Sequence, residues 1–138
     1  MNTVNILLVE DDQIDAMDIR RTFNKLNISY QMNIAKNGME ALEYLSDKSK
    51  PMPDITLIDI NMPRMNGLEL LKNIREREDL KNLKCYMITT SDEKVDRQQA
   101  QQLGVTGYIV KPLKLNNPSN MDAFNLMIDF INLKNTAD

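Results

Sequence analysis

The sequence of 138 residues contains no histidine and a single cysteine. The absence of histidine excludes Ser-His-Asp and Cys-His nucleophilic sites, histidine zinc sites and acid–base catalysis by imidazole. Cys85 has no partner for an internal disulfide, and because it lies in a predicted strand we expect a buried, unreactive thiol in a reducing cytoplasm. Any chemistry must therefore use carboxylates, hydroxyls, lysines or a hard metal ion.

The sequence also lacks an excess of positive charge and any long apolar run. Lys and Arg number 17 against 20 Asp and Glu, so the net charge of −3 indicates neither nucleic-acid binding nor attraction to anionic membranes. The apolar runs have only the length of strands and no basic leader precedes them, which predicts a protein that neither spans a membrane nor is secreted. The length and a hydrophobic content of 42% predict one globular domain over residues 1–138.

Segments typical of strands and of helices alternate along the chain. Apolar runs predict strands at 4–9, 30–35, 55–59, 85–89 and 107–110. Apolar residues three and four apart predict helices between them, and a last helix over about 121–133, where Ser119 and Asp122 have the spacing of a capping box. Such alternation is typical of an α/β fold, a parallel sheet covered by helices on both faces, with ligands bound at the carboxyl ends of the strands.

Polar residues close four of the five predicted strands, where a buried strand would be expected to end on an apolar residue. These residues are Glu10, Asp11 and Asp12 after the first strand, Asp59 at the end of the third, Thr89 at the end of the fourth and Lys111 after the fifth. Taken singly, each is more typical of a solvated loop, a helix cap or a surface charge. Because the carboxyl ends of parallel strands share one edge of a sheet, their combination predicts a common pocket.

The chemistry of that pocket follows from its ligands. Clustered carboxylates repel one another unless a cation compensates, and oxygen ligands favour Mg²⁺. Such a site is suited to a phosphoryl group, with the metal and Lys111 neutralising its charge, Asp59 attacking phosphorus and Thr89 donating its hydroxyl.

Four motifs in this order carry a resemblance to a known family. "ILLVEDD", "LIDINMPRMNG", "MITTS" and "YIVKP" resemble the acidic pair, the phosphoacceptor segment, the hydroxyl site and the lysine-proline site of response-regulator receiver domains of two-component signalling. The resemblance extends along nearly the whole chain. It implies a doubly wound, flavodoxin-like sheet of five parallel strands in the order 2-1-3-4-5, with five helices.

The resemblance also implies a role for individual residues. Asp59 would be the phosphoacceptor, and Glu10 and Asp11 would bind Mg²⁺ together with Asp59 and the backbone carbonyl of Asn61. Asp12 would be the neighbour just outside the acidic pair.

The remaining matching positions concern the phosphoryl group and the response to it. Thr89 and Lys111 would stabilise that group, and Tyr108 would reorient with the Thr89 hydroxyl. The bond between Lys111 and Pro112 would be cis, as is usual in the family.

Some positions depart from the commonest family pattern. Glu10 stands where aspartate is more frequent, which lengthens one ligand arm. Thr90 and Ser91, with the side chain of Asn61, would line the pocket and influence the lifetime of the phosphoryl group. The segment "KLNNPSN" before the last helix is longer than in most members.

The implied function is signalling rather than turnover of a substrate. Asp59 would receive a phosphoryl group from the phosphohistidine of a histidine kinase or histidine phosphotransfer protein, and the domain would catalyse only its own phosphoryl transfer and dephosphorylation. The 27 residues after Lys111 would hold one helix and no output domain, so the signal would pass to an unknown downstream protein by contact. The chain resembles single-domain regulators, including those paired with bacterial phytochromes.

The contact surface would lie on the last two helices and the last strand. The fourth helix, "EKVDRQQAQQL", offers few apolar residues, which is typical either of a weakly anchored switch element or of an ordinary solvated helix. The last helix has two apolar stripes. We expect Phe124, Met127, Ile128 and Ile131 to pack on the sheet. Leu126, Phe130 and Leu133 would then form an interface for a homodimer or a partner, unless the preceding loop covers them.

Three other functions compete with this interpretation. A phosphohydrolase of the haloacid-dehalogenase type would place a second aspartate where Asn61 stands, and would turn over far more than one equivalent of a phosphate ester. A nucleotide- or flavin-binding module would require a glycine-rich loop where "VEDDQID" occurs. A receiver domain without signalling activity would have lost at least one site residue, whereas each implied position holds a suitable one.

Overall fold

The computed structural model describes residues 3–115 and 120–135. Ten elements alternate along the chain: β1 (Val4–Val9), α1 (Gln13–Asn24), β2 (Tyr30–Ala35), α2 (Gly38–Ser46), β3 (Ile55–Ile58), α3 (Gly67–Glu76), β4 (Cys85–Thr89), α4 (Lys94–Gln102), β5 (Gly107–Val110) and α5 (Met121–Asn135). All neighbouring strands are parallel, in the order β2-β1-β3-β4-β5. The predicted fold class and strand order are therefore confirmed.

Each face of the sheet carries its own hydrophobic core, because successive side chains of a strand point to opposite faces. In β1, Ile6 and Leu8 pack with α1 and α5, whereas Leu7 and Val9 pack with α2 and α3. The four residues of β3 are all buried, as expected for an inner strand covered on both faces. The two helical layers leave the carboxyl edge of the strands available for polar side chains.

The helix ends follow the capping rules in most cases. The side chain of Asp12 accepts hydrogen bonds at the start of α1, and Asn37 and Asn66 do the same for α2 and α3. After α4, Gly104 adopts a positive φ of 82°, which glycine accommodates without steric cost.

The capping box predicted for the last helix is not the arrangement that the structure describes. Ser119 lies outside the described residues. The side chain of Asn120 accepts a hydrogen bond from the N–H of Ala123 at 3.1 Å and so caps α5. The Asp122 carboxylate instead accepts a hydrogen bond from the backbone N–H of Tyr108 at 2.8 Å, which ties α5 to the edge strand β5.

The prediction of which side of the last helix faces the sheet was wrong, except that Met127 does pack, partly buried, against the core on that face of the sheet. Leu126 and Phe130 are fully buried, and the ring of Phe130 packs against that of Phe23 at a centroid distance of 5.0 Å. Leu133 packs against the same core, whereas Ile128 is 38% exposed. Since both stripes are apolar and recur with helical spacing, periodicity alone could not choose between them. Phe130 is therefore a core residue and forms no interface.

Among the described residues, no helix is both long enough and apolar enough to cross a bilayer.

Candidate functional site at the carboxyl edge of the sheet

Backbone hydrogen bonds extend the sheet by one residue beyond three of its strands. The N–H of Glu10 donates to the last carbonyl of β2 at 2.9 Å, and that of Asp59 donates to the last carbonyl of β1 at 3.0 Å. The N–H of Lys111 donates to the carbonyl of Thr89 at 2.8 Å. The three residues therefore have fixed backbones at the same edge of the sheet.

The loop after β3 is held against Asp59 by a glycine. The N–H of Gly67, the first residue of α3, donates to the carbonyl of Ile60 at 3.0 Å. A Cβ at Gly67 would lie only 2.3 Å from the backbone oxygen of Asp59. The start of α3 can approach the Asp59 backbone this closely only because residue 67 has no side chain.

Three carboxylates converge at this edge. Glu10, Asp11 and Asp59 each offer an oxygen atom, and these atoms lie within 4.8 Å of one another. Glu10 and Asp59 are 2% and 7% exposed, while Asp11 is open to solvent. A set of oxygen donors with one open side matches the ligand preference of Mg²⁺, which commonly keeps several waters and binds through one or two carboxylates. These three residues could therefore hold a divalent cation.

Lys111 reaches this group from the end of β5. Its Nζ lies 2.6 Å from Glu10 Oε1, 2.7 Å from Asp15 Oδ2 and 3.6 Å from Asp59 Oδ2. The ammonium is therefore bonded to two carboxylates and stands just beyond hydrogen-bond distance of the third. The bond between Lys111 and Pro112 is cis, as predicted.

The ionisation of these groups reflects burial and neighbouring charge. Burial raises the pKa of the Glu10 carboxyl to about 7, and the charge of Asp59 acts in the same direction, while the hydrogen bond from Lys111 opposes both. For Lys111, burial by itself lowers the pKa, but hydrogen bonds to Asp15 and Glu10 outweigh it and the pKa is raised. Lys111 is therefore a firmly charged ammonium, and the crowded carboxylates favour added positive charge.

The other residues predicted around the pocket differ in how close they lie to the three carboxylates. Asp12 caps α1, and its own N–H donates to Glu10 Oε2 at 3.2 Å, so it lies beside the acidic pair. The exposed Asn61 donates its N–H to Asp59 Oδ1 at 3.4 Å. Thr90 and Pro112 are exposed and line an adjoining depression between α1 and the end of β5.

Ser91 connects the end of β4 with Tyr108. The buried Thr89 hydroxyl accepts the N–H of Ser91 at 3.2 Å, and the carbonyl of Ser91 accepts the Tyr108 hydroxyl at 2.9 Å. The Ser91 hydroxyl bonds to Asp96 in α4 at 2.6 Å. Tyr108 is 3% exposed, and the guanidinium of Arg97 lies over its ring, 4.6 Å from the ring centroid. Ser91 thus links the pocket, α4 and β5.

Sequence reasoning missed Asp15, although it contacts Lys111 directly. Asp15 lies in the first turn of α1, four residues after Asp11. Because α1 begins just after the acidic pair, a side chain in its first turn lies close to the end of β1. The signal was therefore present, but an acid in the first turn of a helix is also common for electrostatic reasons alone.

Comparison with known proteins agrees with this geometry. The family model for the response regulator receiver domain matches residues 6–121. The probable methanogenesis regulatory protein FilR2 of Methanothrix harundinacea is 33% identical over 111 residues, covering 78% of this chain and 72% of that protein. Response regulator Rcp1 of Synechocystis is 30% identical over 114 residues, which cover 80% of this chain and 78% of Rcp1. Other relatives are longer: the matched region is only 13% of the sensor histidine kinase CheAY of Helicobacter pylori.

Solved structures give the same result. The Mn(2+)-bound form of Rcp1 superposes with a TM-score of 0.78 at 26% identity, covering 97% of both chains. The bacteriophytochrome response regulator AtBRR has a TM-score of 0.76 at 26% identity and covers 100% of this chain and 96% of its own. These neighbours agree with the resemblance to regulators paired with phytochromes. The chain belongs to the response regulator receiver domain family, the signalling domains of two-component systems.

Proposed function

We propose that Asp59 accepts a phosphoryl group from a phosphohistidine of a histidine kinase or histidine phosphotransfer protein, and that this changes a protein-interaction surface. The observation that carries the proposal is the convergence of three carboxylates within 4.8 Å, with the Lys111 ammonium 3.6 Å from Asp59. The carboxylates are suited to bind a cation, and that cation together with the ammonium would neutralise a group that carries several negative charges.

Glu10, Asp11 and Asp59, with the carbonyl of Asn61, would hold Mg²⁺. When bound, Mg²⁺ would supply positive charge that offsets the crowded carboxylates and the phosphoryl oxygens. The donor chemistry supports this assignment, and the related Rcp1 has been solved in an Mn(2+)-bound form.

In the transfer, a carboxylate oxygen of Asp59 attacks phosphorus while the bond from phosphorus to the donor nitrogen breaks. The electron pair of that bond stays on the departing imidazole, and Asp59 becomes an acyl phosphate. Lys111 and the Thr89 hydroxyl donate hydrogen bonds to phosphoryl oxygens. Attack by water later releases inorganic phosphate and restores the carboxylate, so the domain acts on its own phosphoryl group and turns over no separate substrate.

The hydrogen bonds of Ser91 suggest how the change would leave the pocket. A Thr89 hydroxyl that turns to a phosphoryl group exchanges its contact with the Ser91 N–H, and Ser91 also bonds to Tyr108 and to Asp96 of α4. The helix α4 is well placed to respond, because Ala100 is its only buried residue and no side-chain hydrogen bond caps its start. Tyr108 is buried here, and phosphorylation would favour this position over more exposed ones.

The surface that changes would comprise α4, β5 and the outward side of α5. Its apolar residues include Val95 at 60% exposure, Met121 at 62% and Ile128 at 38%. Exposed apolar side chains on neighbouring elements are typical of a contact surface for another protein. The downstream partner would therefore bind this side of the molecule.

The acceptor is tested with acetyl phosphate and Mg²⁺, followed by a phosphate-affinity gel. Wild type should give one shifted band that needs Mg²⁺, and Asp59→Asn should give none. Asp18→Asn is the matched control, since Asp18 is an exposed acid of α1 that pairs with Arg21 and not with Lys111. An Asp59→Asn band as strong as that of wild type would overturn the proposal, and turnover of many equivalents of a phosphate ester would support a phosphohydrolase instead.

A further inference from the structure

Two carboxylates hold the Lys111 ammonium away from Asp59. Its Nζ makes short bonds to Glu10 and Asp15, at 2.6 and 2.7 Å, whereas the nearest oxygen of Asp59 is 3.6 Å away. An ammonium has three N–H donors, and charge-assisted bonds of this length are among the stronger ones in proteins. Two of the three donors are therefore in use, and these two bonds hold the ammonium beyond hydrogen-bond distance of Asp59.

The two carboxylates that compete with Asp59 for Lys111 have different surroundings. The Glu10 side chain is 1% exposed and belongs to the cluster that could hold a cation. The Asp15 side chain is 36% exposed, comes from the first turn of α1 and does not belong to that cluster. Asp15 therefore remains available to Lys111 whatever ligand Glu10 binds.

We propose that Asp15 is a positioning residue that restrains Lys111 on the α1 side of the pocket and thereby slows phosphoryl uptake by Asp59. The inference rests on the proposed function of Asp59. During uptake from acetyl phosphate, the bond between phosphorus and the acetate oxygen breaks, its electron pair leaves with acetate, and a bond from Asp59 to phosphorus forms. The third N–H of Lys111 can turn to a phosphoryl oxygen, and the hydrogen bond to Asp15 limits how closely Nζ can approach the transferring group.

Removal of the Asp15 carboxylate should speed phosphoryl uptake by Asp59 for two reasons. Lys111 loses a competing acceptor, and the approach to Asp59 loses one negative charge that repels an anionic donor. We expect Asp15→Asn to take up phosphoryl from acetyl phosphate about fivefold faster than wild type, a size typical of one partly exposed ionic contact.

The experiment compares wild type, Asp15→Asn, Asp15→Glu and Asp18→Asn by the initial rate of uptake from acetyl phosphate in saturating Mg²⁺. Asp18 lies one turn further along α1, its side chain is 63% exposed, and its partner is Arg21. The variant Asp18→Asn removes the same charge without touching Lys111, so its rate should stay within about twofold of wild type. Asp15→Glu keeps a carboxylate on Lys111 and should also restore the slow rate.

A second readout observes Lys111 directly, without Mg²⁺ or donor. The ¹⁵N–¹H resonance of its ammonium should shift and exchange its hydrogens faster in Asp15→Asn, and should be unchanged in Asp18→Asn. A rate for Asp15→Asn equal to or below that of Asp18→Asn, or an unaltered Lys111 resonance, would overturn the inference. If wild type took up label normally, the proposed function would survive that result; if wild type took up none, both would fail.

Discussion

Replacement of Gly67 by alanine tests whether the pocket depends on close contact between α3 and the Asp59 backbone. The new Cβ would lie 2.3 Å from the carbonyl oxygen of Asp59 and 2.9 Å from Ile58 Cγ2. Ordinary contact would require a separation about 1 Å greater, and the nearest atom belongs to a backbone already fixed by the sheet. Either α3 must move outward or the Asp59 backbone must shift.

The destabilisation caused by Gly67→Ala can be compared with that caused by the same substitution at Gly104. At Gly104 a Cβ would meet only the Arg75 side chain at 3.5 Å, so Gly104→Ala is penalised mainly by the positive φ of 82°. That conformation costs about 1 kcal/mol with a side chain, whereas overpacking a rigid site costs about 1–3 kcal/mol. The gain in helix propensity at Gly67 is at most about 1 kcal/mol and smaller at a first helical residue. We expect Gly67→Ala to lower the free energy of unfolding by about 2 kcal/mol.

Urea denaturation measures this loss, and a slope of about 1–3 kcal/mol per molar converts it into a midpoint lowered by roughly 1 M. Initial uptake of label from acetyl phosphate, measured on the same proteins, should be slowed in Gly67→Ala and unchanged in Gly104→Ala. If Gly67→Ala had the midpoint and the uptake of wild type, the close contact would not constrain Asp59, and the reasoning would be refuted.

Three further predictions concern the rest of the molecule. Phe130→Ala should lower the free energy of unfolding by about 4 kcal/mol because a fully buried ring is lost, and Ile128→Ala should lower it by less than about 1 kcal/mol. Equal losses for the two variants in urea denaturation would contradict the orientation of α5 described above. Tyr86→Phe removes a hydroxyl that donates a hydrogen bond to Asp129 at 2.5 Å. Loss of this hydrogen bond should lower the free energy of unfolding by about 1–2 kcal/mol. An unchanged midpoint of urea denaturation would disprove this prediction. Burial raises the pKa of the Cys85 thiol to about 11, so little thiolate forms at pH 8. Iodoacetamide at that pH should therefore alkylate only the denatured protein. Modification of the native protein, detected by mass spectrometry, would argue against a buried thiol.

The sequence was sufficient for the features that depend on local patterns. Strands buried on both faces appear as continuous apolar runs, as in 4–9 and 85–89, and their alternation with helical spacing was enough to predict a parallel α/β fold. It also predicted which side chains approach each other. Glu10, Asp59 and Lys111 each follow a strand, and parallel strands necessarily bring those positions to one edge.

Only the tertiary structure determined which distant residues pack against each other where local patterns allowed more than one arrangement. Both stripes of α5 have helical spacing, and only the shape of the core around Phe23 determines that Phe130 faces inward. The hydrogen bond from Lys111 to Asp15 joins residues far apart in sequence, and Gly67 matters because of a backbone oxygen that it approaches in space. Periodicity records which residues share a face of an element, but the partner of that face depends on packing between distant segments, which no local pattern contains.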